Sequence, residues 1–314
     1  MCEAKHFFHN SILITHLRFI FKVFMEHIEN EILSLRARYQ GAEMISLIDK
    51  RDGTELLWQA DPQYWGWHAP MLFPVVGRCY QDLQMISSRA YPMEKHGFAR
   101  KSTFSLLEHE GYKMVFRLEQ NEDTLKQWPF HFELLVRYRI QENRLYVGYE
   151  LRNTGEQALY CALGGHPAFR LPWKEGERFE DYFLEFDPEE KPLRSMINEE
   201  GYFSGEQRIV SLKSGRIDLR ADDFREDAWI FKNLKSRKVS LGSYLNSRKL
   251  VMEFEDYPYL GIWTKAGAPY LCLEPWQGCA DHAMPVTDIS VREGIVRLEP
   301  GMQMNRSFSL SVII

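Results

Sequence analysis

Apolar and polar residues alternate one for one along much of the chain from about residue 27 onward. Phe130, Phe132, Leu134, Val136, Tyr138 and Ile140 alternate with His131, Glu133, Arg137 and Arg139, with only Leu135 out of step. Leu145, Val147, Tyr149 and Leu151 alternate with Tyr146, Gly148, Glu150 and Arg152. Met114, Phe116 and Leu118 repeat the pattern, as do Phe308, Leu310 and Val312 against Ser307, Ser309 and Ser311. A period of two puts every second side chain on one face, so each segment predicts an antiparallel strand with one buried face. Turn formers separate the segments at Asp52-Gly53, Glu142-Asn143, Asn153-Thr-Gly155, Lys213-Ser-Gly215 and Glu299-Pro-Gly301. Helical periodicity is scarce, with a turn or two expected near Ala221–Asp227. No Gly/Ser linker, repeat or low-complexity tract divides the chain. The expectation is an all-β fold, one large antiparallel β-sandwich with few short helices.

The pattern fails at the start. Ser11 to Phe24 is apolar but interrupted by His16, Arg18 and Lys22, and no small-residue cleavage site follows. The run is too short and too charged to span a bilayer. A membrane-surface helix is one reading. The one adopted is an extension outside the fold, residues 1–24, or an upstream start codon with Met25 as the beginning. Residues 25–314 are then expected to form a single domain.

Composition narrows the function classes. A chain of 314 residues can bury a large core, and 45% hydrophobic with 26% charged residues is ordinary for a soluble globular protein. The net charge of −5, with no long basic run, argues against nucleic-acid binding, which needs a concentrated basic face. Cys2, Cys79, Cys161, Cys272 and Cys279 are odd in number and lack C-x-x-C spacing. That argues against a disulfide framework or zinc site and for a reducing, cytoplasmic setting.

Three distant segments each hold one titratable residue in a stiff Gly/Pro frame beside an aromatic: His96-Gly-Phe-Ala-Arg100, Gly164-Gly-His166-Pro-Ala-Phe169 and Leu273-Glu274-Pro-Trp-Gln-Gly278. Two imidazoles and a carboxylate brought together make an acid/base set working near neutral pH. His166, pinned between Gly-Gly and Pro, is either aimed into a cleft or is a turn histidine bonded to backbone. Glu274 follows the apolar Tyr270-Leu-Cys-Leu273, so it is salt-bridged or has a raised pKa suited to a general base. His96 and Arg100 offer two donors on one loop, with pairing to Glu94 or Glu108 as the alternative. Trp58, Trp65, Trp67, Trp173, Trp263 and Trp276 are numerous for sandwich loops; sugar rings stack on such indoles, although at least half are expected in the core. Arg78 ends Phe73-Pro-Val-Val-Gly-Arg78 and has a fork that suits vicinal hydroxyls. No phosphate loop, nucleophile elbow, H-E-x-x-H helix or dinucleotide fingerprint is present, so no cofactor is implied and proton transfer by side chains remains.

Taken in order, these motifs resemble the aldose 1-epimerases (galactose mutarotases), in their shorter divergent bacterial branch. The resemblance covers roughly residues 27–314. It runs from Gly41-Ala-Glu43 and Gly53-Thr-Glu-Leu-Leu-Trp58 through Trp65, Ala69-Pro70 and the Arg78 segment to the three frames and Asp281. It implies a β-supersandwich with a concave sugar-binding face and a cofactor-free mechanism. His166 would protonate the ring oxygen and Glu274 would take the anomeric hydroxyl proton. The aldehyde would rotate about C1–C2, and closure would reverse the roles. By the same resemblance His96 would bond near the ring oxygen, and Arg78 and Asp227 would hold sugar hydroxyls; the loop donor Arg100 and the indole of Trp276 are further candidates for holding the sugar. Glu274 would be ionised and His166 protonated in the resting complex.

Three alternatives stand beside this. A hexose-6-phosphate 1-epimerase would add cations near the sugar's C6, from Arg78, Arg100, Arg89 or Lys95. A sugar-binding module without turnover needs no paired acid and base. A 2-His-1-carboxylate metal set of His96, His166 and Glu274 lacks the usual close pairing of ligands on one strand, so no metal is assigned. The expected partner is a small aldohexose, free or phosphorylated, and the expected state is a monomer or a homodimer through strand edges.

Overall fold

The alternating segments form strands where their period places them, in a computed structural model that describes residues 25–232, 234–282 and 287–314. The apolar run Ser11–Phe24 lies outside the described residues. Phe132–Gln141 and Arg144–Asn153 pair through a two-residue turn at Glu142-Asn143, where Glu142 takes a φ of 52°. They belong to an antiparallel nine-stranded sheet. Its order is Arg216–Asp218, Tyr182–Glu185, Lys238–Ser243, Lys249–Glu253, Gln303–Ile313, Arg144–Asn153, Phe132–Gln141, Lys113–Glu119 and Ser105–Glu110.

An eight-stranded antiparallel sheet packs against it. Its path runs Phe203–Ile209, Leu193–Ile197, Trp229–Lys232, Tyr259–Trp263, Tyr270–Gln277, Leu163–Gly165 and Met71–Leu72, with Ala168–Arg170 also paired to Tyr270–Gln277. Leu271 and Leu273 from this sheet share one buried cluster with Leu134, Val136, Phe308 and Leu310 from the other. A Cβ on Gly165 would meet the Phe308 ring at 3.0 Å and the Tyr149 hydroxyl at 3.2 Å, so the layers touch there. Four further strands between Met25 and Glu55 form a flanking meander. The all-β architecture expected from the alternation is therefore present. Among the described residues, no helix is long and apolar enough to cross a membrane.

Two local expectations are corrected. Ser309 and Ser311, placed on the solvent face by alternation, are buried. Ser309 lies between Tyr146 and Glu253, and Ser311 between Arg144 and Val251, in a central strand. Long cross-strand neighbours, tied by the Arg144–Glu253 ion pair at 2.6 Å, shadow the two short hydroxyls. The short α-helix Glu122–Gln127 was not foreseen. Asn121 caps it by accepting from the Asp123 and Thr124 amides, while Thr124 returns a bond to the Asn121 amide. The turn expected near Ala221–Asp227 is a 3-10 turn over Ala221–Phe224.

Candidate active site

On Tyr270–Gln277 the side chains of Leu271 and Leu273 enter the core, so those of Cys272, Glu274 and Trp276 face the other way. The antiparallel partner is interrupted by Pro167 but keeps its register. Gly164 pairs with Trp276 and Ala168 with Cys272, which sets His166 directly opposite Glu274. Opposed residues of an antiparallel pair share a face. The result is a close pair, His166 Nε2 standing 3.1 Å from Glu274 Oε2.

Glycine makes the floor possible. A Cβ on Gly164 would lie 2.7 Å from Trp276 Cδ1 and 2.8 Å from the Pro275 carbonyl. One on Gly261, opposite Glu274 on the other neighbouring strand, would lie 3.0 Å from Trp276 Cζ2. The indole thus lies across the sheet between two residues that lack side chains. Trp65 stacks on the His166 imidazole, with centroids 4.7 Å apart and planes at 29°, while Trp263 presents its edge at 5.8 Å.

His96 closes one side. Its backbone sits at φ 69°, held by bonds from His96 N to Gly77 O and from Phe73 N to His96 O. The Gly77 amide donates to His96 Nδ1 at 3.1 Å, so the neutral ring carries its proton on Nε2. Burial, with Lys95, His166 and Arg100 nearby, pushes His96 well below the usual histidine range. Glu94 instead pairs with Lys101 and Glu108 with Lys113, so the alternative partners of His96 are engaged elsewhere.

The electrostatics of the central pair correct one expectation. Burial, aided by Lys95, pushes His166 down to about 3. Burial likewise pushes Glu274 well above the usual carboxylate range; Asp227 adds to this, while Lys95 and the indole N–H of Trp276 oppose it. The pair therefore favours a neutral imidazole beside a carboxylic acid, not the ion pair expected for the resting complex. Desolvation decides, because both groups have lost their water. The 3.1 Å contact lacks hydrogen-bond alignment, and the Trp276 N–H approaches without completing a bond. Glu274 Oε2, His166 Nδ1 and Trp276 Nε1 are buried without a hydrogen-bond partner.

A cleft of about 660 Å³, counted with its open mouth, lies above this floor. Asp227, at φ 69°, and Arg100 line it together with His96, His166, Glu274, Trp276, Trp65 and Trp263. Arg78 is placed differently. Its guanidinium donates to both Asp82 carboxylate oxygens at 2.8 and 2.7 Å and to the Glu200 carbonyl at 2.9 Å. It braces the turn that carries Gly201, a lining residue, rather than lining the cleft itself. Sequence reasoning missed the opposite wall, Ile197, Gly201, Ala228 and Ile230, which strand register assembles from separate segments. Lys95, considered only as a phosphate contact, lies exposed on the lining and makes no ion pair among the described residues.

Known proteins share this arrangement of sheets. The family model described as aldose 1-epimerase matches residues 27–310. The plasmid-borne protein LacX of Lactococcus lactis subsp. lactis is 30% identical over 295 residues, covering 91% of this chain and 98% of its own. A galactose mutarotase related enzyme from Lactobacillus acidophilus superposes with a TM-score of 0.87 at 31% identity, over 92% of this chain and 97% of its own. A galactose mutarotase-like protein from Lactobacillus casei gives a TM-score of 0.87 at 31% identity, over 92% of this chain and 100% of its own.

Proposed function

The chain belongs to the aldose 1-epimerase family, and on that premise we propose that it interconverts the α and β anomers of an aldohexose through His166 and Glu274. The observation that carries this reading is a buried acid and a buried base 3.1 Å apart, on the floor of a cleft walled by indoles. Mutarotation needs one proton removed and one delivered. Glu274 takes the proton of the anomeric hydroxyl while the C1–ring oxygen bond breaks, and His166 gives a proton to the ring oxygen. The open aldehyde turns about C1–C2, and closure on the other face runs the transfers backwards. No proton is consumed, so the pair ends as it began.

The resting form and the reactive form differ only in where one proton sits across that 3.1 Å contact. A bound sugar restores polar partners to the carboxylate, and Lys95 at the mouth favours its charged form. The Nε2–H of His96 donates near the ring oxygen. Arg100 and Asp227 hold hydroxyls, and Trp276 with Trp65 and Trp263 covers the C–H faces of the ring. Arg78 acts through the turn it braces. Each positioned proton-transfer group supplies about 10²–10⁴-fold.

Polarimetry of freshly dissolved α-D-glucose and α-D-galactose tests the reading. Accelerated decay of rotation is expected, with most of it gone in Glu274→Gln. Acceleration that survives in that variant sinks the assignment of the base, and no acceleration on any aldose leaves a sugar binder without turnover.

One observation favours a second reading. Among the described residues Lys95 makes no ion pair on the cleft lining, and the Arg100 guanidinium lies against its carbonyl at 2.7 Å. A hexose 6-phosphate would satisfy both. Preference for glucose 6-phosphate over glucose, lost in Lys95→Met, would move the assignment to the phosphorylated sugar.

A further inference from the structure

We infer that the floor of the cleft is also a site for a thiophilic divalent cation, Zn²⁺ above all, which binds by capturing the catalytic pair. Among the described residues, His166, Cys272 and Glu274 form a set of three potential ligands, all buried, with one ligand atom of each within 4.8 Å of the others. Bonds of about 2.0–2.3 Å from a tetrahedral Zn²⁺ span ligand separations of about 3.3–3.8 Å, within reach of this set. The second observation is independent of the spacing. Glu274 Oε2 is buried without a hydrogen-bond partner, and it is the oxygen 3.1 Å from His166 Nε2. The set is not the one the sequence suggested, because His96 Nδ1 is occupied by the Gly77 amide and Cys272 takes its place.

Lys95 and Arg100 on the same lining oppose a cation, but within the ligand set the charges balance. Burial penalises a thiolate, a carboxylate and a dication separately, yet together with a neutral imidazole they sum to zero. A sulfur and a nitrogen ligand select Zn²⁺ over Mg²⁺ or Ca²⁺, which prefer oxygen. Binding forms Zn–S, Zn–N and Zn–O bonds and releases the thiol proton of Cys272 and the carboxyl proton of Glu274 to water. No electrons move. His166 and Glu274 line the cleft, so cation and sugar compete for them.

The binding claim stands apart from the proposed reaction, while the inhibition it implies rests on that reading. The test therefore starts with a spectrum. Co²⁺ alone, added to the purified protein, should give a near-ultraviolet thiolate-to-cobalt band that Zn²⁺ abolishes by displacement. Cys272→Ser and Cys272→Ala should each lose the band and weaken Zn²⁺ binding in calorimetry by at least about 100-fold, whereas Cys279→Ser should keep both. Lack of the band, or Zn²⁺ binding indifferent to both Cys272 variants, overturns the site whatever the enzyme turns over. In polarimetry Zn²⁺ should slow mutarotation and added sugar should relieve it. Acceleration by Zn²⁺ would overturn the inhibitory role.

Discussion

Two carboxylates in this protein are almost equally hidden and differ in what surrounds them. Asp49 is 0% exposed and Glu274 is 1% exposed. Asp49 accepts from the Arg51 amide at 3.2 Å and from the Arg51 side chain at 2.8 and 3.0 Å, and from Arg248 at 3.0 Å. Arg248 reaches on to Asp52 and Thr54, and Arg51 to the carbonyl of Val312. The knot ties the flanking meander to the end of the chain's last strand. Glu43 also gathers donors, accepting from the His68 and Ala69 amides at 2.8 and 2.9 Å and from Arg38, although burial still pushes its carboxyl up. Glu274 has no such company, only a neutral imidazole at poor alignment and an indole N–H that completes no bond. A buried charge that is fully answered by donors is fixed structure, whereas a buried carboxyl left unanswered is stored reactivity.

The sharpest way to break that comparison is to neutralise both acids. Glu274→Gln should cost about 10²–10⁴-fold in kcat/KM with thermal stability unchanged or raised, since a buried ionisable group has gone. Asp49→Asn should do the reverse, losing about 3–5 kcal/mol of stability by leaving arginines unpaired, with near-normal turnover in the folded fraction. Calorimetry and polarimetry on the two variants would show it. If both lost stability alike, the contrast would collapse.

A smaller effect is expected from Gly164→Ala. The added methyl must displace the Trp276 indole or the Pro275 backbone, and a shift of about 1 Å at the reacting groups can cost up to 10²-fold in rate. Wild-type kinetics in that variant would show that the indole's position does not matter.

The pH profile of kcat/KM sharpens the electrostatic half of the comparison. His166 is held down to about 3, so a second proton joins the pair, and the base is lost, only as pH falls towards that value. The alkaline limb lies well above the ordinary carboxylate range, where the shared proton leaves Glu274. No acid limb should therefore appear at pH 6.5, the ordinary histidine value. An acid limb near 6.5 would mean a hydrated imidazole and an open floor. The smallest change belongs to Arg78→Ala, which loses a half-exposed pair with Asp82: below about 1 kcal/mol of stability, and a rise in KM of less than about tenfold with kcat intact. A collapse of kcat there would place Arg78 at the sugar.

Much of this was legible in the chain. Strict alternation revealed Phe132–Gln141 and Arg144–Asn153, because one face of each meets a core and the other meets water. His166 and Glu274 stood out because Gly and Pro frames around a titratable residue cost stability in a strand. What stayed hidden is what depends on partners remote in sequence. Ile197, Gly201, Ala228 and Ile230 carry no local mark of a binding wall, and pairing alone brings them together. Ser309 and Ser311 read as solvent-facing because nothing local reports the reach of Tyr146 and Glu253 across the sheet. The Arg78 fork read as free because its i,i+4 spacing to Asp82 falls in a turn, where no helical periodicity announces the bond.

The alignment of His166 with Glu274 across neighbouring strands makes the chemistry a gauge of folding accuracy. A slip of one position between those strands would turn one of the two residues to the opposite side of the sheet, while leaving most backbone hydrogen bonds available. Such a molecule could be compact, soluble and inert. Turnover per folded molecule would then count how often the chain closes this seam in the correct frame, an error rate that spectroscopy of secondary structure does not see.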